Sequence, residues 1–169
     1  MRIKTITTTY NQDEDRLHFA VVDGNGEHRV LWLTRRLAER LVLALIQGLV
    51  TPVPEDGPAQ DPQAAAAQSL AAQEYAQLEA RISQKQLPPV EPGPEAPQGL
   101  VHEITLKNAD QGVRAIEFHC HGQGPCELWL NSKELRQWLN VVRAAFGAAQ
   151  WRDDVWPDWV AAPPAGTVG

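Results

Sequence analysis

Along the first fifty residues the apolar positions change period, and the change marks the elements. Residues 3–10 interleave threonine with apolar side chains, as a half-buried strand does. The polar turn 11–15 leads to a second strand over 17–22, and Gly24-Asn25-Gly26 turns the chain into a third over 28–33. From Thr34 onward the apolar residues Ala38, Leu41, Val42, Leu45 and Leu49 follow helical spacing, which predicts a helix to about residue 48.

The same order returns later. Strands are expected over 101–106, 113–121 and 126–130, with Gly122-Gln123-Gly124 as the second tight turn. A helix then runs from Asn131 to about residue 146. Leu31-Trp32-Leu33-Thr34 lines up with Leu128-Trp129-Leu130-Asn131. In that register Ala38, Leu41, Val42, Leu45 and Leu49 stand opposite Leu135, Trp138, Leu139, Val142 and Phe146 without a gap. Thr34 and Asn131 are both residues whose side-chain oxygen bonds free amides of a first helical turn, and Glu134 completes a capping box with Asn131. The expectation is a duplicated βββα unit, 1–50 and 100–151, giving an α+β fold with pseudo-two-fold symmetry and a mostly antiparallel sheet. A unit of about 50 residues cannot bury its helix face alone, whereas two can do so together.

Between the units, residues 51–99 form an insertion rich in Pro, Ala and Gln. It holds nine of the 13 prolines and carries seven acidic against two basic residues. Such a composition buries too little apolar area to fold alone. Asp61-Pro62 opens a helix expected over 62–87, with Pro88-Pro89 as its stop. Ala71, Tyr75, Leu78 and Ile82 make a narrow stripe on it, which either rests on the main domain or pairs with a partner or a second copy. Residues 152–169 read as a tail containing Trp and Pro.

Composition narrows the function classes. A net charge of -6 argues against an electrostatic nucleic-acid binder. No apolar run reaches the roughly 18 residues of a membrane span, the start lacks the apolar stretch of a secretory signal, and two cysteines give no disulfide framework. A cytoplasmic protein is expected.

Candidate chemistry is sparse. His119 and His121 share one face of a strand, and with Cys126 they are the candidates for a metal site, although strand alternation turns Cys120 away from them. No nucleophile, base and orienting group can be assembled, and no phosphate-binding glycine loop occurs, so neither an enzyme nor a cofactor is expected. Arg35, Arg36 and Arg40 crowd the first turns of a helix, where the helix dipole disfavours cations, and could hold an acidic partner. Trp32 and Trp129 occupy like places on two strands, suited to packing the units together or to a dimer interface. Trp156 and Trp159, in the tail, are candidate docking anchors. These features lead to a non-catalytic adaptor, assembly factor or accessory subunit that binds another protein or itself as a homodimer. The alternative is a metal- or small-ligand-binding protein built on the His119/His121 hairpin, with or without enzymatic activity.

Overall fold

The computed structural model describes residues 1–50 and 61–161. The proline-rich start of the insertion and the tail beyond 161 lie outside the described residues. Six strands form one sheet in chain order: β1 (Ile3–Asn11), β2 (Arg16–Asp23), β3 (His28–Thr34), β4 (Gln98–Asn108), β5 (Arg114–Cys120) and β6 (Cys126–Leu130). Among the described residues the helices are α1 (Arg35–Leu49), α2 (Pro62–Ile82), α3 (Ser132–Ala148) and the short α4 (Asp158–Ala161). The architecture is the mixed α+β, mostly antiparallel one that the pattern predicts.

Local chemistry sets the turns and caps. After β2 the Asp23 carboxylate accepts from the backbone N–H groups of Asn25 (2.8 Å) and Glu27 (3.0 Å), and Gly26 takes φ +85° to bring in β3. Those backbone donors, Glu27 first, hold the Asp23 carboxyl below its ordinary value. Thr34 caps α1 by accepting from the Leu37 N–H. Asn131 and Glu134 close the reciprocal capping box of α3, each bond 2.9 Å.

The sheet is antiparallel within β1–β3 and within β4–β6. The two sets join in parallel, with Val30, Leu31 and Trp32 beside Gln98, Gly99 and Leu100. Consequently β4 starts at Gln98, inside the stretch that composition assigns to the insertion. The open side of β3 needs backbone partners, and the Val30 N–H donates to the Pro97 carbonyl at 2.9 Å. Gly99 sits where only a bare Cα fits: a Cβ there would lie 2.8 Å from the Cys120 Cβ. At the far edge the sheet curls round, since Arg2 bridges Glu127 in parallel and the Glu127 N–H donates to the Met1 carbonyl at 2.9 Å. Both sets carry an irregularity at the start of their first strand, Ile3/Thr5 opposite β2 and Val101/Glu103 opposite β5.

Alternation sends Leu17, Phe19, Val21, Leu31 and Leu33 inward to meet Ile116, Phe118 and Leu128, and all are buried. Phe19 links the parts, edge-on to Phe118 and to Trp138 of α3, each at 5.7 Å. The α1 helix packs on β2 and β3, and α3 packs on β1 and β6.

Two stretches fold differently from their reading. The inserted helix ends at Ile82 rather than near 87. Ser83 Oγ donates to the carbonyls of Glu79 (2.8 Å) and Ala80 (3.2 Å), taking up acceptors of the last turn. It also docks by its polar side, burying Gln73, Gln77 and Ala80 against α3 and α4. The cause is Arg136, a buried cation on α3 that needs acceptors. Its Nη2 donates to Gln73 Oε1 (2.5 Å) and its Nη1 to Gln77 Oε1 (3.4 Å), while Gln77 Nε2 donates to Asn140 Oδ1 (2.7 Å).

The tail, in turn, folds back. Trp151, Trp156 and Trp159 are each 7% exposed or less. Phe146 meets Trp151 and Trp156 edge-on, and the Arg136 guanidinium lies 5.2 Å from the Trp159 ring centroid. Arg81 Nη2 donates to the Val160 carbonyl (3.2 Å), so α4 closes over α2 as well. Trp156 and Trp159 are core residues here, not surface anchors. Leaving two indoles in water would forfeit the burial of large apolar rings.

Candidate functional site: the cleft between α1 and β4

Beyond Leu100, β4 runs past the end of its pairing with β3, and α1 lies alongside it. Between them is a cleft of about 350 Å³. Leu37, Leu41 and Ala44 of α1 and Ile104 and Leu106 of β4 supply its apolar walls, and exposed Arg40, His102 and Glu103 stand at its rim. The α1 periodicity explains the helix side: Leu41 belongs to the inward stripe, while Arg36, Arg40, Leu43 and Gln47 form an outward line at spacings of four, three and four. Leu43 on that line is 50% exposed.

Matching positions on α3 are occupied. Leu41 and Trp138 are each the seventh residue after their N-cap. Thr8 pairs with Phe19, which pairs with Leu31; Leu106 pairs with Ile116, which pairs with Leu128. Thr8 and Leu106 therefore hold like places in their strands. At one of them the Trp138 indole fills the space and its Nε1 donates to Thr8 Oγ1 at 3.1 Å. At the other, Leu41 and Leu106 leave the cleft. Gln137 Nε2, one residue before Trp138, donates to the Ala80 carbonyl (3.0 Å) and holds the end of α2. Its counterpart is Arg40, which is exposed.

The three arginines separate. Arg35 is tied down, its Nε 2.8 Å from Glu39 Oε1 along the helix, and only Arg36 and Arg40 face outward. Trp32 and Trp129 lie on the outer face, one at each parallel junction. Trp32 Nε1 donates to Gln98 Oε1 (3.1 Å) and meets His18 edge-on, while Arg2 lies over Trp129, whose Nε1 donates to Glu127 Oε2 (3.1 Å).

The histidine hairpin does not converge. His119 Nε2 lies 3.2 Å from Thr105 Oγ1 and 3.7 Å from Glu117 Oε2, and the His121 ring stacks on His102 with centroids 3.8 Å apart. Cys126 is buried on the inward face beside Arg29. Among the described residues no group of three or more metal-ligating side chains comes together. Both thiols are free, and burial pushes each above its ordinary pKa, which disfavours the reactive thiolate. Among the described residues no helix is long and apolar enough to cross a membrane.

Sequence reasoning missed two participants in the fold. Asp15 lies in the acidic turn that reads as solvated. Yet it accepts from Tyr10 Oη (2.8 Å) and Trp151 Nε1 (3.1 Å), tying the first hairpin to the tail. The Tyr10 bond, then the Trp151 bond, lowers its pKa. The other is Arg136, which looks like one more surface charge. The cleft itself had a signal: in the aligned register a leucine stands opposite a tryptophan, a mismatch in volume. No family model, curated protein or solved structure matches the chain.

Proposed function

We propose that this chain is a non-catalytic protein-binding adaptor or accessory subunit. The α1–β4 cleft receives an acidic segment of a partner protein, with a large apolar side chain of that segment as its anchor. One observation carries the reading: the place that Trp138 fills on α3 is unfilled on α1, where Arg40 stands at the rim and Arg36 and Leu43 stay exposed. An apolar cavity beside exposed cations suits an anchor flanked by carboxylates.

The reading includes duplication of a βββα unit. It is supported by the matching caps, by the strand irregularities at Ile3/Thr5 and Val101/Glu103, and by the like registers of β2–β3 and β5–β6. On this view one copy took the inserted helix as its own cover, and the other kept its face for a partner.

The test is capture from native cells with three baits: the natural chain, Arg36→Glu/Arg40→Glu, and Leu41→Trp, which fills the cleft. A partner held by the first and lost by both variants is expected. Retention of the same proteins by both variants would overturn the reading.

A further inference from the structure

The α2 helix is inside out. Gln73 and Gln77 are buried, while Tyr75 is 71% and Ile82 76% exposed, with Leu78 also in water. Apolar side chains this large are costly to leave solvated on a helix that has chosen its polar side for docking. They are not scattered: Ala71, Tyr75, Leu78 and Ile82 follow spacings of four, three and four, the seam of two helices packed side by side. We propose that α2 pairs, antiparallel, with the α2 of a second copy of this chain.

The stripe is complementary to itself in one direction only. Antiparallel, Tyr75 faces Leu78 of the other copy and small Ala71 faces large Ile82, so each layer sets a bulky side chain against a smaller one. Flanking charges agree. A parallel, in-register pair brings Glu74 against Glu79 of the other copy on both sides, a repulsion that the antiparallel pair avoids. Two-fold exchange of the same residues closes the assembly at two copies. The surface is separate from the α1–β4 cleft, so the pairing and the adaptor reading stand or fall independently.

Sedimentation of the full chain over a concentration series reaching the millimolar range is the experiment. The mass should rise toward twice that of the monomer. Tyr75→Asp/Ile82→Asp should hold it at one copy with an unchanged melting temperature, because both side chains are exposed in the monomer. A spin label at Gln68→Cys then reads direction: about 25–30 Å between labels for the antiparallel pair, against about 10 Å for a parallel one. A monomer throughout, a dimer indifferent to the double substitution, or the short label distance would each overturn the proposal. The first of these leaves the stripe to some other protein and leaves the cleft reading intact.

Discussion

Helices α1 and α3 start from like caps, α1 against β2 and β3 and α3 against β1 and β6, and their surroundings diverge. Over α3 the chain has built a lid: Trp138 closes the gap to β1, Arg136 collects the amides of Gln73 and Gln77, and the tail adds Trp159 above the guanidinium. On α1 the residues at the same distances from the cap as Trp138, Arg136 and Gln137 are Leu41, Glu39 and Arg40; Glu39 is paired with Arg35, and Arg40 stands at the rim of a cleft. The contrast teaches that a helix face can be finished from within the chain or left for another molecule, and that a few side chains decide which. Indole and guanidinium recruit cover on one side. On the other, leucine and solvated arginine do not.

The sharpest way to break the contrast is to exchange its centres. Trp138→Leu removes the ring contact with Phe19 and the bond to Thr8 and opens a cavity, so urea unfolding should show a loss of about 3 kcal/mol. Leu41→Trp introduces the ring where a cleft already exists, and stability should stay within about 1 kcal/mol. Equal costs would remove the distinction between a filled and an open seat.

Next is Arg136→Ala, expected to cost roughly 2–3 kcal/mol, because it strands two buried amide oxygens and uncovers the Trp159 face. Arg136→Met should regain part of that through packing alone. A loss no larger than that of an ordinary surface residue would show that α2 and the tail dock without the guanidinium.

Asp15 sharpens the comparison at the hairpin end. Its folded carboxyl titrates below the ordinary value of about 4, so its stabilising effect is complete above that value and fades as pH falls through the lower folded one. Asp15→Asn should therefore separate from the natural chain in thermal melts near neutral pH and converge with it in acid. Parallel curves across that window would exclude the carboxylate as the tie between hairpin and tail. The smallest effect on folding belongs to Arg36→Glu/Arg40→Glu, within about 0.5 kcal/mol, since both side chains are exposed and their role lies in binding.

How much of this was legible in the sequence follows from which interactions have a period. Strands, tight turns and helix caps repeat at fixed offsets, so β6, the Asn131/Glu134 box and the alternation that puts Trp32 outside and Leu31 inside could all be read directly. The face of α2 could not. Periodicity marks Tyr75, Leu78 and Ile82 as the buried side, but burial there is dictated by one arginine 55 residues further along the chain from Arg81, and a cation's need for acceptors leaves no periodic trace. The parallel junctions were hidden for a related reason. Gln98-Gly99-Leu100 resembles the linker it follows, and only the unpaired edge of β3 makes it a strand. Of the cleft, Arg40 was visible as a charge out of place, whereas Ile104 and Leu106 required knowing which strand stands across the cleft from α1.

The seam between Met1 and Glu127 bears on how the chain is made. The Glu127 amide bonds the Met1 carbonyl, and Arg2 bridges Glu127, so Met1 and Arg2 find these neighbours only after the chain has been made as far as Glu127. Until β4 and β6 emerge from the ribosome, the β1–β2–β3 meander has two bare edges, each a template for pairing with another nascent chain. Contacts this distant in sequence also slow folding, because a long loop must close before they form. High expression should therefore favour aggregates of prematurely paired N-terminal strands, and slower translation or a chaperone that shields strand edges should raise the yield of native protein.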